Sequence, residues 1–179
     1  MTDRASNTAV SALAGPLAAL PDDVRTLLDE PVIMHLGTRD AALVPLSILA
    51  FGLHRAGDGR ELTVFAPVAA AGETLANLRD NGQLALTLVR PTSHRSIQIK
   101  GTWLGERRVD EADRAFLARY RDALCDELGL VGVPRSLWRR LLWWPSVALR
   151  FEVREVFVQT PGPSAGKRCG EAPEEGSSP

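Results

Sequence analysis

The feature that most constrains this chain is a run of alternating side chains near its middle. From Arg95 to Leu104 one parity is apolar (Ile97, Ile99 and Trp103), and the other is polar (Ser96, Gln98, Lys100 and Thr102). Successive side chains of a strand point to opposite faces, so this run predicts a strand with one face in a core. A similar alternation from Val147 to Val158 slips at Arg154, which predicts a bulge in a final strand.

Four more strands are predicted from apolar runs bounded by turn residues, at 32–36, 43–53, 62–65 and 83–89, with a turn at 37–40. Helices are predicted at 22–29, at 72–80 with a stop at Asn81-Gly82, from Asp110 to Gly129, and at 134–143. Asp110 and Asp113 have the spacing of a helix cap. Short strands joined by tight turns favour an antiparallel barrel with α+β content over a parallel sheet.

Composition limits the organisation and the partners of the chain. A length of 179 residues with 45% hydrophobic content fits one domain, predicted at 21–160. We expect a flexible segment at 1–20 and a disordered tail at 161–179, where Gly, Pro, Ser and Glu dominate. A net charge of -1 argues against nucleic acid as a partner. No apolar run approaches the roughly 20 residues that cross a bilayer, so no membrane partner is expected.

The chain's cysteines and N-terminal residues favour a reducing compartment. Cys125 and Cys169 are far apart in the sequence and form no C-x-x-C pair. Gly15-Pro16 interrupts the apolar N-terminal stretch, which argues against a secretion signal. We therefore expect a cytoplasmic protein.

Few residues point to catalysis. No hydrolase, zinc-protease or phosphate-loop motif is present, so the catalytic residues stay unknown. His35, His54 and His94 are isolated in sequence, so no metal site is predicted. The Trp/Arg-rich segment 134–145 has two interpretations: an amphipathic helix, or a surface that grips phosphates and stacks bases. The near-neutral charge favours the helix, which then caps a ligand pocket or a dimer interface.

A set of hydrogen-bond donors is the best candidate for a binding site. It joins the start of the short helix to the alternating strand, and consists of Thr74, Asn77, Arg95, Ser96, Gln98 and Lys100. Donors on one strand face can satisfy a phosphate or the polar edge of a flat heterocycle. The helix start adds backbone N–H groups and the positive end of the helix dipole. The alternative is a solvated outer face of the barrel.

These segments resemble the FMN-binding split-barrel proteins related to pyridoxamine 5'-phosphate oxidase. The resemblance covers about 31–107 and 147–159, and rests on the motifs at 62–65, 74–81, 85–88 and 95–101 and on the ending 157–163. It implies a six-stranded antiparallel split β-barrel with a short helix between strands and a helical insertion before the last strand. It also implies a homodimer with FMN in clefts between the subunits, acting on a small-molecule substrate.

The resemblance also implies roles for individual residues. Ser96, Gln98 and Lys100 would contact the ring or ribityl chain, and Thr74, Asn77 and Arg95 would lie nearer the phosphate. The chain departs from the family where basic residues hold the phosphate, because it has Glu73 and Thr74 there and no basic residue between Val44 and Gly52.

Two classes of function follow. The first is an FMN-dependent oxidoreductase. The second is a non-catalytic split-barrel binding module for another cofactor (haem, with His94 as an axial ligand, or a deazaflavin), or a dimer without a cofactor.

Overall fold

The computed structural model describes residues 15–57 and 59–170, and its centre is a closed antiparallel barrel. Around the barrel the strand order is β1-β2-β3-β6-β5-β4. The strands are β1 (Ile33–Arg39), β2 (Pro45–Ala56), β3 (Glu61–Pro67), β4 (Gln83–Val89), β5 (Ser96–Arg108) and β6 (Ser146–Val158). The predicted six-stranded antiparallel barrel is confirmed.

The helices lie where the sequence predicts a short helix and an insertion. They are α1 (Asp22–Arg25), α2 (Ala71–Asn81), α3 (Glu111–Gly129) and α4 (Arg135–Trp138), with 3-10 turns at Gly15–Ala19 and Thr26–Leu28. Helix α2 joins β3 to β4, and α3 and α4 join β5 to β6. Among the described residues, no helix has the length and apolar character needed to span a bilayer.

Local signals explain how these elements begin and end. The Asp110 side chain accepts a hydrogen bond from the Asp113 backbone N–H (2.8 Å), and Asp113 accepts one from the Asp110 N–H (3.0 Å). This reciprocal cap is the one predicted for α3. Helix α2 ends at Gly82, whose φ of 68° is left-handed and whose N–H donates to the Leu78 carbonyl.

The alternation predicted for β5 and β6 is also present. Ile97 and Ile99 are fully buried inside the barrel. Lys100 lies opposite Glu155, whereas Gly101 lies opposite Val153, so Arg154 is an extra residue in β6. The predicted bulge at Arg154 is therefore confirmed.

Two local predictions are wrong. The turn expected at 37–40 is strand up to Arg39, because Gly37 pairs with Ser47 on one side and Ala85 on the other. The helix expected at 134–143 is only the four residues of α4. Its apolar residues Leu137 and Leu142 are exposed, and three tryptophans pack toward the barrel in their place: Trp138, Trp143 and Trp144.

The predicted flexible segment 1–20 and tail 161–179 fall partly on described residues. Leu17 and Leu20 are buried in the main core. After β6 the chain turns back along the strand, and the Cys169 N–H donates to the Val156 carbonyl (2.8 Å). Residues 1–14 and 171–179 lie outside the described residues.

Candidate functional site

The six predicted site residues lie in three separate places. Val89 of β4 pairs with Ser96, and Gln83 at the other end of β4 pairs with Thr102. The Gln83 end lies about 20 Å along the strands from the Val89 end, at about 3.4 Å per residue. Helix α2 leads into the Gln83 end, so Thr74 and Asn77 belong to that end of the barrel, and Arg95 and Ser96 belong to the other. Gln98 and Lys100 lie between the two ends. The expected single cluster is therefore not formed within one chain.

The α2 pair faces the protein rather than an open site. Thr74 is fully buried, and its Oγ1 has no hydrogen-bond partner among the described residues. The Asn77 Nδ2 donates to the Thr38 Oγ1 (3.1 Å), which ties α2 to β1. Glu73 is exposed in the first turn of the same helix.

At the opposite end, neighbouring residues engage Arg95 and Ser96. The Arg95 guanidinium donates to the Asp23 carbonyl and lies 3.7 Å from the Glu30 carboxylate. Ser96 is buried, and its N–H donates to the Thr160 Oγ1 (3.0 Å). These contacts hold the N-terminal segment and the end of β6 against the barrel, which is a structural role.

Gln98 and Lys100 point away from the core, on a surface that we call the open face. It comprises the outward residues in the middle of β1, β4 and β5, which are exposed or half-buried: His35, Gly37, Ala85, Thr87, Gln98 and Lys100. The Gln98 Nε2 lies 3.5 Å from the Thr87 Oγ1, and the Lys100 Nζ lies 4.5 Å from the centre of the Phe157 ring. The donor row therefore exists, but on the outside of the barrel.

The open face has a shallow centre and little charge. Gly37 pairs with Ala85, and Ala85 pairs with Lys100, so the two smallest side chains lie side by side next to a donor. Lys100 is the one residue of the six with a formal charge at neutral pH, although 24% of the chain is charged. Depletion of charge is typical of the centre of a protein interface.

The opposite side of the barrel, which we call the covered face, lies under α3 and the segment that contains α4. Phe51, Phe65 and Ala148 are its buried outward residues. They form a second core with Leu117 and four half-buried aromatic residues: Phe116, Trp138, Trp143 and Trp144.

Cation–π contacts with α3 hold two of these tryptophans. The Arg114 guanidinium lies 5.3 Å from the Trp144 ring centre, and that of Arg121 lies 4.6 Å from the Trp143 ring centre. Two of the rings that the alternative interpretation assigned to base stacking are thus held against α3 and are half-buried.

An apolar cavity lies where the resemblance implies the FMN phosphate, between strand 44–52 and the start of α2. It has a volume of about 320 Å³. Its walls are aliphatic and include Ile48, Leu49, Pro67, Ala70, Leu141 and Leu142. A phosphate dianion needs several charged or N–H donors. The residues here do not fit one, and we derive no chemical step through FMN.

A salt bridge at the start of α3 lies next to the covered face. The Arg107 Nη2 donates to Asp113 (2.9 Å), and this pairing holds the pKa of the buried Asp113 carboxyl below its usual range. His54 packs between Phe65 and Phe116, with ring centres 5.2 and 4.1 Å away. Burial lowers the pKa of His54, although the Asp113 charge opposes the shift. These groups fix α3 to the barrel.

A buried carboxylate performs a similar task at the far end of α3. The Arg90 Nε donates to Glu127 (2.8 Å), and Thr92 donates to the same oxygen. These hydrogen bonds lower the pKa of Glu127. Tyr120 of the same helix both accepts from the Val32 N–H and donates to the Val32 carbonyl.

The predicted absence of a metal site stays a prediction. In residues 15–57 and 59–170, no three His, Cys, Asp or Glu side chains are close enough to hold a metal ion. His94, the candidate axial ligand, is exposed in the β4–β5 turn with a positive φ of 56°.

Arg108 is a charged residue at a cavity that was not among the predicted site residues. Arg108, at the end of β5, lines a cavity with the start of α2 and the residues before β6. It follows Glu106 and Arg107 in a charged run, so no pattern in the sequence distinguishes it.

Comparisons with known proteins concern the architecture. No protein-family profile matches the chain, and no curated protein matches it. Solved structures similar to it include an F420 reductase (17% identity, 76% of this chain and 98% of that chain, TM-score 0.49). An FMN-binding protein from Syntrophomonas wolfei has 16% identity, with coverage of 76% and 88% and a TM-score of 0.42.

A third neighbour is HutZ, the heme storage protein from Vibrio cholerae (14% identity, coverage 78% and 94%, TM-score 0.44). Another is described as belonging to the pyridoxinephosphate oxidase family. The descriptions of these four structures mention F420, FMN, heme and pyridoxinephosphate.

Proposed function

We propose that this chain is a small-molecule-binding split-barrel protein that forms a homodimer through its open face and holds a planar ring there. The observation that carries the proposal is the pairing of Gly37 and Ala85 beside Gln98 and Lys100. Small side chains allow a flat ring or a second subunit to approach the sheet closely. The neighbouring amide and ammonium groups supply donors for ring oxygen or nitrogen atoms.

The homodimer is supported by the contrast in charge and cover between the two faces. The covered face already has its apolar partners in α3 and the tryptophans. The open face has small and polar residues, with Phe157 half-buried at the edge where it pairs with Gln98. A second copy would complete the cover on this side.

The sequence resemblance implies FMN held by its phosphate group, whereas the proposed ligand is held by its ring and not by a phosphate. Thr74 is buried, Arg95 is paired with Glu30, and the cavity beside α2 is aliphatic. We therefore favour the non-catalytic binding module, with a deazaflavin, a flavin or haem as the planar ligand. The FMN oxidoreductase is the second candidate, supported by the donor row itself, and the ring would then supply the redox chemistry.

Titration of the purified protein with FMN and with riboflavin tests this proposal. Because no cationic cluster holds the phosphate, we expect the two affinities to agree within about threefold, and Lys100→Gln to weaken both. FMN binding more than about tenfold tighter than riboflavin (about 1.4 kcal/mol) would favour the oxidoreductase. If neither flavin binds, titration with haemin decides between haem and a dimer without a cofactor.

Light scattering during gel filtration tests the dimer. Ala85→Arg places a charged side chain at the centre of the open face, and we expect it to convert a dimer to a monomer. Ala115→Arg, at an exposed position of α3, is the matched control and should leave the mass unchanged. A wild-type monomer, or an Ala85→Arg dimer, would contradict the proposed interface. Cytoplasmic location stays a prediction.

A further inference from the structure

A larger cavity lies at the opposite end of β5 from the Gln98 and Lys100 donors. It has a volume of about 520 Å³ and lies between the first turn of α2 and the segment that enters β6. Its walls are mainly apolar: Val68, Leu75, Val109, Trp144 and Val147. This volume lies within the range of small-molecule sites, which are typically concave and apolar with a few polar groups.

Contacts outside the cavity hold its walls in place. The Val68 N–H donates to the Pro145 carbonyl (2.8 Å), which fixes the loop before α2 to the segment before β6. The Arg114 guanidinium lies over the Trp144 ring at 5.3 Å. A cavity whose walls are already held costs little to organise when a ligand binds.

Arg108 is the charged group at this cavity. Its neighbours are engaged, since Arg107 binds Asp113 and Arg79 binds Glu106 (2.8 Å). Arg108 is exposed and has no ion pair among the described residues. A guanidinium next to apolar walls is suited to a ligand with an apolar body and one anionic end.

We propose that this cavity binds a small apolar carboxylic acid, with the carboxylate on Arg108 and the apolar body against Val68, Trp144 and Val147. One planar guanidinium matches one carboxylate through two parallel hydrogen bonds. The aliphatic and indole walls match an aromatic or short aliphatic body. The site is separate from the open face and does not depend on what that face binds.

Calorimetric titration with cinnamate and its neutral analogue cinnamamide tests the charge recognition. The wild type binds cinnamate saturably and more tightly than cinnamamide. Arg108→Gln weakens cinnamate binding by at least about tenfold and leaves cinnamamide unchanged, since a hydrogen bond to a charged group is lost. The matched control is Arg140→Gln, at an exposed arginine without an ion pair among the described residues, and it changes neither affinity.

A second variant tests the location. A Cβ added at Gly72, which lines the cavity, meets no atom within 4 Å, and the residue is helical. Gly72→Leu therefore folds normally and obstructs the cavity, and both ligands bind at least about tenfold more weakly. Gly129→Leu is the control, because a Cβ there also meets nothing within 4 Å.

Three results would overturn the proposal. The first is the absence of saturable cinnamate binding to the wild type. The second is equal cinnamate affinity in Arg108→Gln and the wild type, and the third is unchanged binding in a folded Gly72→Leu protein. None of these results bears on the dimer or the flavin titration, so the two proposals fail separately.

Discussion

The two outer faces of the barrel differ in what holds them. On the covered face, α3 approaches β2 so closely that Gly52 has no room for a side chain, and aromatic rings fill the space beyond it. On the open face, Gly37 and Ala85 leave a shallow surface with donors along one side. The covered face therefore contributes stability to the single chain, and the open face is available for association and binding.

The largest expected effect is at Gly52, where the covered face is tightest. Its φ is 64°, and an added Cβ would lie 2.6 Å from the Phe116 ring and 3.0 Å from Leu117. Gly52→Ala should lower the free energy of unfolding by about 3 kcal/mol, because overpacking adds to backbone strain. Urea denaturation measures it.

Gly132→Ala is the control for the Gly52 variant. Gly132 has a φ of 84°, and an added Cβ would meet no atom within 4 Å. The substitution should therefore lower the free energy of unfolding by only about 1 kcal/mol. Equal losses at the two positions would show that close packing of α3 contributes nothing.

Removal of the Asp113 carboxylate should have the next largest effect. Asp113→Ala deletes the acceptor of the Asp110 N–H, which is one half of the reciprocal helix cap, and the partner of Arg107, so we expect a loss of about 2 kcal/mol in urea denaturation. Glu111→Ala, two residues away, removes an exposed pair with Arg114 and should change stability by less than about 0.5 kcal/mol. A comparable loss for both variants would contradict the assigned cap.

The covered face should also make stability depend on pH through His54. Burial lowers the pKa of His54 below its ordinary value of 6.5, against the opposing charges of Asp113 and Asp110 and with the help of Arg107. The unfolded chain then binds a proton first, so stability falls as the pH drops through 6.5 toward the lower pKa of the folded state.

Denaturation midpoints measured across this pH range test the role of His54. His54→Gln should flatten the dependence, and His35→Gln on the open face should not. At pH values below the range in which His54 titrates, we expect the free energy of unfolding to fall further. The pKa values of Asp113 and Glu127 are lowered in the folded chain, so these carboxylates no longer stabilise it once they are protonated.

The smallest effect on stability is expected on the open face. Lys100 is exposed and its contact with Phe157 is a single cation–π interaction. Lys100→Gln should change the free energy of unfolding by less than about 0.5 kcal/mol at a protein concentration where the chain is monomeric. A loss as large as that of Asp113→Ala would show that this face stabilises the single chain, which would remove the distinction between the two faces.

Local patterns predicted the barrel because each of its elements depends mainly on neighbouring residues. The alternation through Ile97 and Ile99, the bulge at Arg154 and the stop at Gly82 could all be identified in the sequence. The prediction of a helix at 134–143 was wrong because packing of the tryptophans on the barrel stabilises the chain more than a regular helix in this segment would. Spacing alone does not reveal that competition.

The candidate site was predicted less well, because proximity in sequence is not proximity in the barrel. Arg95 and Lys100 are five residues apart, but one is paired with Glu30 at the strand end and the other is exposed in mid-strand. Arg108 was missed because its cavity is built from three distant parts of the chain. Only the folded chain brings those parts together.

The sequence by itself determined the six strands, the inward residues of β5 and the position of the helical insertion, because hydrophobic periodicity and turn residues act over a few residues. The tertiary structure decided which outer face the insertion covers, which arginines are paired, and which cavity has at its wall an arginine, Arg108, without an ion pair among the described residues. Those outcomes depend on contacts between residues far apart in the chain. The same contacts bury some donors, such as Thr74, and leave others accessible to a ligand.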